Sequence, residues 1–109
     1  MANIYDRQYG GNCIGRVENN GAVYDRQYGG NCVGRVDNGY VYDRQYGGNC
    51  VGRVESTGYI YDRQYGGNCI ARVETNGFIY DRQYGGNCVG HVDGIPIKFG
   101  GAAFVLLLR

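Results

Sequence analysis

The chain has 109 residues, of which 21 are Gly and 12 Tyr, with no Trp, one Pro and one Met. Its 11 basic and 10 acidic residues leave a formal net charge of +1, so there is no basic field for nucleic acid or anionic lipid. All the leucines sit at Leu106, Leu107 and Leu108, which leaves the rest of the chain without the usual apolar formers of amphipathic helices.

Read from the N-terminus, the chain is a repeat. Tyr-Asp-Arg-Gln-Tyr-Gly-Gly-Asn-Cys occurs five times, starting at Tyr5, Tyr24, Tyr42, Tyr61 and Tyr80, with spacings of 19, 18, 19 and 19 residues. Each copy continues as Ile/Val-Gly-Arg-Val-Glu/Asp and then a short polar link containing Gly. Ala71 departs from Gly and His91 departs from Arg. The length allows one domain over 1–109, with five near-identical hairpins over 4–93 and a degenerate apolar hairpin over 94–109.

Within a copy, two stretches rich in Val, Ile and Tyr read as strands, such as Ala22–Tyr28 and Asn31–Asp37. Gly29-Gly30 reads as one turn, pairing Tyr28 with Asn31, Gln27 with Cys32 and Tyr24 with Arg35. Asn38-Gly39 is a two-residue hairpin turn, because Asn-Gly accepts positive φ at both positions. The other links, such as Glu18-Asn19-Asn20-Gly21-Ala22, carry three-residue loops ending in Gly, which suits a type I turn with a bulge. Both link lengths leave the same partners opposed: Val36 with Val41, and Val17 with Val23.

This register predicts an all-β protein of tandem antiparallel hairpins, about twelve short strands in a meander sheet or barrel. A β-solenoid with one repeat per coil is the alternative. A row of Val and Ile crosses the sheet from Ile4 to Val92. Beside it runs a row alternating Tyr and Arg, from Tyr5 and Arg16 through Tyr80 to His91. Such cross-strand aromatic–cation neighbours contribute about 0.2–1 kcal/mol each.

The tail breaks the pattern. Residues from Ala102 to Leu108 are apolar at all seven positions, far short of the roughly 20 that cross a bilayer as a helix. Membrane anchoring is therefore disfavoured. An apolar terminal repeat implies a partner surface, since terminal repeats are normally polar caps. The tail closes the sheet into a barrel, lies across a sheet face, binds a second copy, or forms a short buried helix.

Candidate chemistry is sparse. Cys13, Cys32, Cys50, Cys69 and Cys88 lie two strands apart in a meander, roughly 10 Å, which is too far for one metal ion or a disulfide. They read as small buried residues. An odd count, with no secretory signal at the start of the sequence, suggests reduced thiols and a cytoplasmic setting. His91 has no neighbouring nucleophile in the pattern, and Ser56, the only Ser, lies in a link. No catalytic, metal or cofactor site is expected, and the chain is not read as an enzyme.

The pattern Tyr-Asp-x3-Gly-Gly-x3-Gly-x-Val with its Gly-bearing link, over 4–93, resembles MORN repeats. These are Gly- and Tyr-rich hairpins that stack into an open sheet and act as structural or membrane-proximal scaffolds. This repeat is shorter than the MORN unit and lacks its Gly two places after Tyr. In outline it is also similar to the hairpin repeats of choline- and glucan-binding cell-wall modules, which rely on the Trp this chain lacks. Nearest in pattern are uncharacterised bacterial tandem-hairpin proteins with an aliphatic C-terminal end.

The expected function is a non-enzymatic structural or interaction module that self-associates, or binds a protein partner, through Phe99, Phe104, Leu106, Leu107 and Leu108. The alternative is a repeated carbohydrate- or peptide-binding surface built on Asn and on Tyr24, Tyr28, Tyr42, Tyr46, Tyr61 and Tyr65. The preferred reading of those Tyr side chains is as the core, which a chain poor in Leu must build from something, with Ile97, Phe99, Phe104 and Leu106 on the same face of the tail.

Overall fold

A computed structural model describes residues 1–109. Ten strands pair in hairpin order: β1 (Ala2–Tyr5), β2 (Cys13–Val17), β3 (Ala22–Tyr24), β4 (Cys32–Asp37), β5 (Tyr40–Tyr42), β6 (Cys50–Val54), β7 (Tyr59–Tyr61), β8 (Cys69–Val73), β9 (Phe78–Tyr80) and β10 (Cys88–Gly94). All neighbours are antiparallel, and β1 pairs with both β2 and β10, so the sheet is a closed barrel. The closing seam sets Ile4 opposite Val92 and Tyr5 opposite His91, the same pairing that a link makes between Val41 and Val36 or Tyr42 and Arg35. The shape is a disc, 34 × 33 × 19 Å, whose hairpin loops extend as five petals.

The links form as the spacing predicts. Asn38 and Gly39 take φ values of 53° and 86°, both left-handed, as a type I′ turn requires. In the longer links Gly21 donates its N–H to the Glu18 carbonyl at 2.8 Å, and the pair Val17–Val23 survives.

The petals differ from expectation. Tyr24 pairs with Cys32, Val23 with Gly34 and Ala22 with Arg35, across a bulge between Val23 and Tyr24. The first strand of the petal stops at Tyr24, and Asp25–Asn31 form a loop rather than an extended ladder around a two-residue tip. The loop is held otherwise. Asp25 Oδ1 accepts the Asn31 N–H at 2.9 Å, and the Asp25 N–H donates to the Asn31 carbonyl at 3.1 Å. Gly29 and Gly30 turn at φ 64° and 80°, and a Cβ on Gly30 would lie 2.6 Å from Asp25 Oδ1. The doublet is thus demanded by the loop's curl around the carboxylate. All five hairpins keep both strands, so the count of ten instead of about twelve comes from the tail, which adds none.

The tail is helical, not a sixth hairpin. After a cis Ile95–Pro96 bond, α1 (Ile97–Ala103) runs into a π-helical segment, Phe104–Leu108, closed by the Arg109 N–H on the Phe104 carbonyl at 2.8 Å. The reason lies in the closed sheet. With β1 on β10 no edge remains for a hairpin to extend. A segment inside the lumen must satisfy its own backbone groups, which a helix does.

The core is therefore aliphatic and arranged in rings. Val17, Val36, Val54, Val73 and Val92 form one, and Ile4, Val23, Val41, Ile60 and Ile79 the other; all ten are buried. Tyr does not supply the core. The small residues of α1 fit inside: a Cβ on Gly100 would lie 2.6 Å from Val92 Cγ1, and one on Gly101 2.5 Å from Val73 Cβ. Ala102 and Ala103 are fully buried.

Candidate functional site

Two surfaces carry the sequence candidates: the hub made by the tail, and the ring of petals. At the hub, successive tail residues meet successive repeats. Phe104 lies over Gly90, Leu106 over Gly52, Leu107 over Gly34 and Leu108 over Gly15, with side-chain atoms 2.7–3.2 Å from where a Cβ would stand. By the same order, Val105 falls to the fourth repeat, where Ala71 replaces Gly. The winding explains the match. An α-helix turns about 100° per residue, whereas a five-fold barrel repeats every ~72°; the wider i→i+5 winding brings the helix closer to one residue per repeat.

The tail candidates do not act as a single patch. Phe104 is buried in the lumen. Phe99 lies with Ile95, Pro96, Ile97, Lys98 and Thr75 at the end of the barrel that bears the links. Leu106, Leu107 and Leu108 reach the glycine ring, further towards the petal loops, and are half-buried. Ile14, Val33, Val51, Ile70 and Val89, next to those glycine-ring positions in the chain, are half-buried and packed against the core.

The Tyr candidates divide in the same way. Tyr24, Tyr42 and Tyr61, with Tyr80, lie under the guanidinium groups of Arg16, Arg35, Arg53 and Arg72 at 4.1–4.2 Å from the ring centroid. Each of these arginines also grips the next petal. Arg16 Nη1 donates to the carbonyls of Arg26 at 2.9 Å, Gln27 at 3.3 Å and Gly29 at 2.8 Å, and Arg35, Arg53 and Arg72 repeat the contact. Glu18, Glu55 and Glu74 pair with Arg16, Arg53 and Arg72 at 3.1 Å. One face of each of these rings is thus occupied by structure.

The row breaks at His91, which stacks on Tyr5 with ring centroids 6.1 Å apart and sits edge-on to Phe78 at 5.6 Å. An imidazole there does not reach the loop as the arginines do, and the first petal has no guanidinium clamp.

Tyr28, Tyr46 and Tyr65, with Tyr9 and Tyr84, stand at the petal loops and are 73–81% exposed. Tyr9, Tyr65 and Tyr84 lean edge-on against Phe78, Tyr40 and Tyr59 of the preceding repeat around the ring, at 5.6–6.2 Å. The Tyr59 phenol is held above its ordinary pKa mainly by the neighbouring Tyr84 side chain, then by burial. Tyr61 and Tyr80 are raised chiefly by burial, then by the charges of Glu55 and Glu74, and Tyr5 chiefly by burial.

The five cysteines are free thiols, each giving its S–H to the carbonyl two residues on at 3.3 Å. They are half-buried rather than core, because the petal bulge pairs Cys32 with Tyr24. No helix is long and apolar enough to cross a membrane. Comparison of the chain with family models, curated proteins and solved structures gave no match.

What sequence reasoning missed is the arginine clamp and the one-to-one seating of the tail. The signal for the second was present: five consecutive apolar residues, Phe104–Leu108, against five repeats.

Proposed function

We infer that the chain is a non-enzymatic interaction module that self-associates through the apolar end of its plugged barrel. The observation that carries this reading is the half-buried state of Leu106, Leu107 and Leu108 beside the half-buried ring Ile14, Val33, Val51, Ile70 and Val89. Eight aliphatic side chains partly in contact with water favour a surface that covers them. A second copy suits that end, because the eight side chains repeat around the barrel axis and are all aliphatic, so apolar surface meets apolar surface. Free thiols at all five cysteines are consistent with a reducing, cytoplasmic setting.

The test avoids the tail's own packing. Val51→Lys charges the rim while leaving every lumen-filling residue in place. Sedimentation or light scattering should find a concentration-dependent oligomer for the native chain, and a monomer with an unchanged circular dichroism spectrum for the variant. A native chain that stays monomeric up to about 1 mM, the limit of weak association, removes the reading.

A further inference from the structure

In a chain of near-copies, residues that occur rarely stand out by position. Ser56 is the only Ser, Thr57 and Thr75 are the only Thr, and Lys98 is the only Lys. All four line one cleft of about 560 Å³ between the fourth and fifth petals. They come from three separate segments: two links and the start of α1. Thr57 also serves its link, where its Oγ1 accepts the Tyr59 N–H at 3.3 Å as Asn20 and Asn76 accept in theirs. Ser56, Thr75 and Lys98 have no such part in the repeat, and the fold brings all four together.

The chemistry of the cleft follows from which groups are already engaged. Arg72 is engaged through two of its nitrogens: its Nε donates to Glu74 Oε2 at 3.1 Å, and its Nη1 donates to the carbonyls of Arg82, Gln83 and Gly85 at 3.0, 3.4 and 2.7 Å. The Glu74 charge is thereby compensated. Lys98 is exposed and has no carboxylate partner, so its ammonium is the uncompensated charge of the site. Tyr59 and Tyr84 form an aromatic wall, with ring centroids 6.0 Å apart and planes at 80°. The matching groove between the second and third petals is smaller, about 340 Å³; it has Ala22 where Tyr59 stands, and no serine, threonine or lysine.

We propose that the cleft between the fourth and fifth petals binds a small polyhydroxylated ring bearing an oxyanion, either a carboxylate or a phosphate. The ring lies against Tyr84, the anion meets the Lys98 ammonium, and Ser56, Thr57 and Thr75 exchange hydrogen bonds with the ligand's hydroxyls. A few convergent polar groups beside an aromatic face are what such ligands need, and the charged contact is the strongest of them. This site is separate from the apolar end, so it stands or falls independently of self-association.

Amide NMR titration of the whole chain tests it, with glucuronate, glucose 6-phosphate, glucose and acetate as probes. Saturable shifts are expected at Thr57, Thr75 and Lys98 with glucuronate or glucose 6-phosphate, and the tighter of the two identifies the oxyanion. Glucose and acetate should each bind about tenfold or more weakly, since each lacks one half of the recognition. Lys98→Met and Tyr84→Ala should each weaken binding by about tenfold, whereas Tyr46→Ala in the smaller groove should leave it unchanged. The proposal is overturned by unsaturated titrations at about 10 mM of both anions, by equal shifts at the equivalent positions of the other repeats, or by unchanged affinity in Lys98→Met.

Discussion

At the scale of single residues, one small residue per repeat, glycine in four of the five and Ala71 in the other, sets the diameter of the barrel's contact with its plug. A Cβ on Gly52 would stand 2.7 Å from Leu106 Cδ1 and crowd the Tyr61 carbonyl. Ala71 shows that the backbone contact can be accommodated, and the tail residue that falls to it by order, Val105, is shorter than leucine. Gly52→Ala should therefore cost about 1–3 kcal/mol, the usual range for overpacking, and Leu106→Val should restore part of it. Urea unfolding of the two single variants and the double variant measures the coupling; strictly additive losses would show that Leu106 is not what the methyl meets.

The element that most needs explanation is the petal, an exposed loop without ladder hydrogen bonds. Its order comes from the Asp carboxylate inside and the neighbouring guanidinium outside, so each petal is held by the repeat before it. The first petal is the exception, because His91 is the residue before it around the ring. His91→Arg should supply the missing clamp and raise stability by about 1 kcal/mol. That is below the ~1.5–3 typical of hydrogen bonds to charged groups, because the site is part-exposed. In the native chain, amides of the first loop should exchange faster than their equivalents in the other four, and the substitution should remove the difference. Equal exchange before substitution would mean that the packing of Tyr9, Phe78 and His91 already orders the loop.

For the molecule as a whole, the plug is part of the core rather than an appendage. The ten Val and Ile of the two rings enclose a lumen that α1 fills with Gly100, Gly101, Ala102 and Ala103, and Phe104 continues the filling. Ending the chain after Asp93 would leave that lumen empty, and losing the Phe104 side chain alone is of the order of 3–5 kcal/mol. Against a typical total of about 5–15 kcal/mol, the truncated chain should lose cooperative unfolding and bind hydrophobic dyes. A sharp native-like transition would show that the barrel stands without its plug. For this reason the oligomer test rests on Val51 rather than on truncation.

What the sequence determined by itself is whatever depends on residues close in the chain or on strict repetition. The link turns, the opposition of Val36 to Val41 and the Tyr–Arg row all follow from loops two or three residues long, which leave one register available. The petals were not legible, because their order depends on an arginine from another repeat reaching over nine to thirteen residues of chain. The tail was less legible still. Phe104–Leu108 satisfies the pattern of a buried strand as well as that of a buried helix, and only closure of β1 onto β10 decides between them. Closure removes the edge a strand would need and creates a lumen that only a self-satisfied backbone can enter. Leu106, Leu107 and Leu108 therefore sit half-buried against the glycine ring at one end of the barrel, a placement that closure decides.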